Sequence, residues 1–262
     1  MEKKILTDDT YMNVITFGKG ERNLAVIAGV SLTGLEGMGE AIENALGAYS
    51  EHFTVYVFDR RKILPKGFTI ADMAEDVYMC LKQLGVEKTS VFGASQGGMI
   101  GQVLAINHPE MVENLIVCST ICRLTDDNSK TLGLWLEAAK AHDVKKVNEL
   151  FLEYVFSDAF VESIKDSIPM LLEQGTAADC DRFVIMLEAI KGFDIYNSLD
   201  KIQCPTFVIV DKKDKVFDYK YSYEISDKLN CNIYAYDKYS HAVYDEAPDL
   251  KKRVTDFIKG NR

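Results

Sequence analysis

Residues 91–102 read VFGASQGGMIGQ: a β-branched run, a glycine-flanked serine, and then an apolar segment of helical character. A strand that runs straight into a helix commits the chain to an α/β layout, because the helix must return along the face of the sheet that the strand belongs to. The spacing Gly93-x-Ser95-x-Gly97 also carries chemistry. A serine hydroxyl is a weak nucleophile, and a tight strand-to-helix turn presents it clear of the sheet at the cost of a strained backbone. Glycines on either side let neighbouring backbone approach. A helix opening at Gln96 sets its positive dipole end beside Ser95, and the Gln96 N–H can stabilise a developing oxyanion. The stretch matches neither G-x-x-x-x-G-K-[ST] nor G-x-G-x-x-G, which argues against phosphate binding.

The surrounding pattern alternates. MNVITFG (12–18), NLAVIAG (23–29), FTVYVFD (53–59), KTSVFGA (88–94) and VENLIVCST (112–120) read as strands. Helices are expected over 34–50, over 69–85 with Thr69 as N-cap and Gly85 as stop, and over 96–108. From 123 to 199 the reading is helix after helix, and alternation resumes with PTFVIVD (205–211), a helix over 219–230, CNIYAYD (231–237) and a last helix near 244–259. The expected organisation is a mostly parallel, doubly wound α/β core made of residues 1–122 and 200–262, interrupted by a helical insertion, 123–199.

Composition narrows the partners. The net charge is −10 and the pI about 5.0, with no compensating basic block, so a nucleic-acid or anionic-membrane surface is not expected. The N-terminus, MEKKILTDDTYMN, lacks the apolar region of a signal peptide. No run reaches the ~20 apolar residues of a membrane span. The six cysteines are scattered through apolar stretches, as expected of reduced, buried thiols in a cytoplasmic protein, and none completes a metal site. No metal or organic cofactor is implied.

A nucleophilic serine needs a base. His52 precedes a strand, His108 stands at a helix end before Pro109, and His142 ends a helix of the insertion. His241 lies in the loop after the last strand, at the carboxyl edge where the crevice of an open α/β sheet forms. An acid to orient it is available three times, at Asp211, Asp214 and Asp218, in the segment that leaves strand 205–211. The chain order Ser…Asp…His is complete with any of the three.

These blocks together resemble the α/β-hydrolase family. GASQGGMIGQVLAINHPEMVENLIV resembles its nucleophile elbow with the following helix and strand. LDKIQCPTFVIVDKKDKVFD is similar to the approach to its acid, and YSHAVYDEAPDLKKRVTDFI to its histidine loop and last helix. Family members often carry a helical cap where residues 123–199 sit. The resemblance implies a Ser95–His241–Asp214 triad, with the N–H groups of Gln96 and Val30 as the oxyanion hole and Ser31 as a possible substitute donor. It also implies acyl transfer on a small-molecule ester, lactone or thioester. Leu134, Trp135, Phe151, Tyr154, Phe156 and Met186 are expected to line an apolar acyl pocket. Carbon–carbon bond cleavage or lyase chemistry on the same triad, or ligand reception without turnover, remain alternatives. The chain departs from the family pattern in IAGVSLTG, which has Ala28 where His is common. It departs again in DRRKILPKGFT, which keeps Asp59 without the usual glycines and is expected to be remodelled. Arg60 and Arg61 in that segment are expected to form surface salt bridges or to meet an anionic substrate. Oligomeric state is not legible.

Overall fold

Apolar runs buried from end to end on central strands, with 3.6-residue periodicity on the segments between them, produce a sheet clothed by helices on both faces. The computed structural model describes residues 1–7 and 10–260. Its strands are β1 (Glu2–Thr7), β2 (Thr10–Phe17), β3 (Arg22–Ile27), β4 (Phe53–Arg61), β5 (Thr89–Ala94), β6 (Val112–Cys118), β7 (Thr206–Asp211) and β8 (Asn232–Tyr236). They form one sheet in the order β1-β2-β4-β3-β5-β6-β7-β8. The ladder is parallel from β4 to β8, and β1 and β2 join it antiparallel. The sequence reading did not anticipate β1. Its side chains are mostly exposed and half of them are charged, which blunts an edge strand but erases the alternation that would reveal it.

The helices are α1 (Gly39–Leu46), α2 (Ile70–Gln83), α3 (Gln96–Asn107), α4 (Lys130–Lys140), α5 (Val144–Val155), α6 (Asp158–Ser163), α7 (Ile168–Leu172), α8 (Ala177–Glu188), α9 (Lys220–Leu229), α10 (Val243–Glu246) and α11 (Leu250–Lys259). Met73, Val77 and Leu81 of α2 and Ile100 and Leu104 of α3 bury one face of the sheet; Leu250, Val254 and Ile258 of α11 bury the other. Thr69 caps α2 in a reciprocal capping box with Asp72, and Gly85 ends the segment at φ 75°.

Between β6 and β7 the chain leaves the sheet for α4–α8. The two ends of this excursion close on each other: Leu124 N–H donates to Phe193 O (2.7 Å) and Ile195 N–H to Cys122 O (2.9 Å). The excursion touches the core at loops on the carboxyl edge of the parallel strands. Ala242 N–H donates to Val155 O (2.8 Å), Ser240 Oγ to Tyr154 O (3.2 Å), and Gln96 Nε2 to Met186 O (2.6 Å). Glu246 accepts from Ser157. The insertion therefore meets the core at the edge where the segments after β5, β7 and β8 carry Ser95, Asp214 and His241.

Candidate active site

Ser95 is the pivot between β5 and α3. Its backbone stands at φ 53°, ψ −123°, a conformation that costs a non-glycine residue about 1–3 kcal/mol. The surroundings hold it there. Ser95 N–H donates to Cys118 O at the end of β6 (2.9 Å), and Ser95 O accepts from Thr120 Oγ1 (2.7 Å). The flanking glycines are required by contact: a Cβ on Gly97 would lie 2.0 Å from Ile27 O, and one on Gly93 would lie 2.3 Å from Gly97 O. Crossing of helix and strand at backbone distance is what makes the turn so sharp.

His241 and Asp214 form a buried pair, with Nδ1 and Oδ2 2.8 Å apart and side chains 3% and 0% exposed. Asp214 Oδ1 accepts from the N–H groups of Val216 (2.8 Å) and Phe217 (2.9 Å), which orients its carboxylate toward the ring. Phe217 packs edge-on to the imidazole. The other two acids have different work. Asp211 Oδ1 accepts from Lys213 N–H (2.7 Å), while its Oδ2 accepts from Lys238 (3.1 Å) and Tyr239 (2.7 Å), so it braces the loop that carries His241. Asp218 is exposed and accepts from Lys220 N–H. Strands β5 and β7 flank β6, so Ser95 and Asp214 leave the sheet about 10 Å apart at the usual inter-strand spacing.

The remaining histidines are engaged away from this edge. His108 meets Glu75 and stacks on Tyr78, His142 meets Asp181, and His52 precedes β4 at its amino end.

The loop after β3 passes directly against the serine: a Cβ on Gly29 would lie 3.3 Å from Ser95 Cβ. Among the described residues neither the Gln96 N–H nor the Val30 N–H has an acceptor. A cavity of about 410 Å³ opens beside the same loop. Ser31, Leu32 and Thr33 form one wall, and Phe151, Phe156 and Phe160 contribute to the other. Of the residues expected in an acyl pocket, Phe151 and Phe156 line this cavity, as does Ser31, which was expected near the substrate as a substitute donor. Trp135 and Met186 are instead buried in the core of the insertion, where Trp135 stacks on Phe151 at 4.7 Å, and Leu134 and Tyr154 pack against that core. Helical spacing locates an apolar face, but not which of its members meets a void.

Arg60 and Arg61 correct the sequence reading. They are 4% and 7% exposed, not on the surface. Arg61 pairs with buried Asp76 of α2 and lies over Phe68. Arg60 bonds Gln96 Oε1 through Nε (3.2 Å) and Nη2 (3.0 Å), and Ala28 O through Nη2 (2.8 Å). Two adjacent arginines read as solvated charge, because their partners lie on elements remote in sequence. The six cysteines are unpaired; Cys204 and Cys231 are half-buried and the other four buried.

Known proteins carry the same fold. A sequence model of the α/β-hydrolase fold matches residues 32–153. The provisionally named carbamate hydrolase RutD of Serratia proteamaculans is 26% identical over 204 residues, covering 75% of this chain and 76% of its own. The 3-oxoadipate enol-lactonase 2 of Acinetobacter baylyi is 22% identical over 217 residues, covering 81% and 79%. The crystal structure of the enol-lactonase from Burkholderia xenovorans superposes with a TM-score of 0.86 over 98% of this chain and 100% of that one, at 19% identity. With its eight-stranded sheet and serine turn, the chain has the α/β-hydrolase fold and is similar in sequence to hydrolases that carry it.

Proposed function

We propose that the chain is a serine hydrolase that cleaves a small ester, lactone or thioester through an acyl-enzyme, with Ser95 as nucleophile, His241 as base and Asp214 as its orienting acid. The observation that carries this reading is the buried 2.8 Å His241–Asp214 pair on the edge where the strained turn presents Ser95. Ser95 Oγ attacks the carbonyl carbon as His241 Nε2 takes its proton, and Asp214 stabilises the resulting imidazolium. The N–H groups of Gln96 and Val30 hold the tetrahedral oxyanion. Collapse expels the alcohol or thiol, which leaves with the proton from His241. Water, deprotonated by His241, then attacks the acyl-enzyme and releases the acid and Ser95.

Residues 123–199 act as the cap, and the cavity beneath them takes an apolar acyl group, since its far wall is mostly aromatic and aliphatic. The enol-lactonase and carbamate hydrolase relatives support a compact carbonyl substrate. The unpaired cysteines fit a reducing compartment such as the cytoplasm. The test is reaction with a fluorophosphonate probe followed by peptide mapping, together with multiple turnover on p-nitrophenyl esters of graded chain length. Labelling at Ser95 with turnover is expected. Labelling elsewhere refutes the assignment, and binding of esters without turnover makes the chain a receptor.

A further inference from the structure

The two N–H groups assigned to the oxyanion come from different loops, Val30 after β3 and Gln96 after β5, and something must hold those loops in register. Resting on the reading above, we propose that Arg60 is the positioning residue of the oxyanion hole, tying the Gln96 side chain to the Ala28 carbonyl. The tie is a single guanidinium. Its Nη2 donates to Ala28 O (2.8 Å), two residues before Val30, while Nη2 and Nε together clasp Gln96 Oε1 (3.0 and 3.2 Å). A guanidinium is planar and its donors diverge at fixed angles, so the two bonded loops are held at one separation. Gln96 is fully buried, and its Nε2 donates onward to Met186 O of α8 (2.6 Å), which fixes the amide's orientation and leaves its oxygen for Arg60.

Burying this cation is costly, and the fold offsets it only in part. Burial draws the Arg60 pKa down to about 10, with Asp59 opposing that shift and Arg182 adding to it. The Asp59 carboxylate does not touch the guanidinium. Its Oδ1 accepts from the Arg60 main-chain N–H (2.7 Å) and from Arg182 Nη2 (3.4 Å), and its Oδ2 from Leu35 N–H (2.9 Å). Arg60 thus directs its full charge at neutral oxygens behind the site where an oxyanion would form. A lysine would supply charge but only one compact set of donors, and could not bridge both loops with the same geometry.

The experiment compares full-length wild type, Arg60→Lys, Gln96→Met and the double variant on a p-nitrophenyl ester, with circular dichroism as the folding control. Both substitutions keep the Gln96 and Val30 main-chain N–H groups; Arg60→Lys breaks the tie alone, and Gln96→Met breaks it together with the Gln96 Nε2–Met186 O bond. Each single variant should lose about 10- to 100-fold in kcat with KM changed less than threefold, short of the 10²–10³ that deletion of an oxyanion donor costs. Affinity for a trifluoromethyl ketone, which forms a tetrahedral adduct, should fall in parallel with kcat/KM. The double variant should be no worse than the poorer single. Folded variants with kcat within threefold of wild type, a loss confined to KM, or additive losses would each overturn the proposal. If Arg60→Lys does not fold, Gln96→Met carries the same expectation alone. Absence of Ser95 labelling in wild type would bring down the hydrolase reading, and this inference with it, whereas labelled wild type with fully active variants would bring down this inference only.

Discussion

Replacing Asp214 by Asn tests the acid in a way the local geometry makes unusually sharp. Asp214 Oδ1 is fixed by two main-chain donors, from Val216 and Phe217, and Oδ2 faces His241 Nδ1. An asparagine side chain must keep its oxygen toward the two N–H groups, because its NH2 there would confront two donors. The NH2 is then forced toward Nδ1, which must become an acceptor, so the ring proton moves to Nε2. In that tautomer His241 cannot take the proton of Ser95. The same change costs about 10⁴ in turnover in a chymotrypsin-type protease, and a loss of at least 10³ is expected here at pH 7, with folding retained. The assay is p-nitrophenyl ester turnover beside a thermal melt. Asp211→Asn is the contrasting variant: Asp211 accepts three main-chain N–H bonds, and the amide must turn its NH2 toward at least one of them. It should lose about 2–4 kcal/mol of stability, from the loss of one or two charge-assisted bonds, and its activity should drop only through displacement of the loop. Less than a tenfold loss in Asp214→Asn, or a greater loss of turnover in a folded Asp211→Asn, would refute this division of roles.

Ser95→Gly should abolish turnover yet raise stability by about 1 kcal/mol in urea denaturation, because glycine relieves the strain at φ 53° and gives back only part of it in backbone entropy. Gly97→Ala should cost more than about 3 kcal/mol or prevent soluble expression, since its methyl would meet Ile27 O at 2.0 Å and backbone must move; a stable, active protein would show that the crossing yields. Phe160→Ala enlarges the cavity and should move ester preference toward longer acyl chains, read as kcat/KM across a chain-length series. Trp135→Ala, by contrast, removes a fully packed ring and should cost about 3–5 kcal/mol without extending the preferred chain length.

The strand–turn–helix around Ser95, the parallel alternation and the helical excursion were legible in sequence because each is carried by residues near one another in the chain. Periodicity, a capping threonine and glycines at fixed offsets report local geometry directly. The candidate base was legible for a related reason, since the end of the last parallel strand is a place the topology itself defines. Among Asp211, Asp214 and Asp218 the resemblance singled out Asp214, while the chain order left all three open. All three leave β7 within one short segment, and they differ only in what the loop of residues 238–241 brings to each from the far side of β8. The arginines were misread for the same cause: Arg61 is neutralised from α2 and Arg60 is held by α3 and the loop after β3, so their burial depends on elements that no window around them contains. Strand β1 went unseen because an edge has no buried face to impose a pattern. Trp135 was mistaken for a cavity wall because an apolar helix face looks alike whether it meets a void or another ring. Local hydrogen bonding and periodic burial write themselves into neighbouring residues, whereas the pairing of charges and the placing of empty space exist only once distant segments have met.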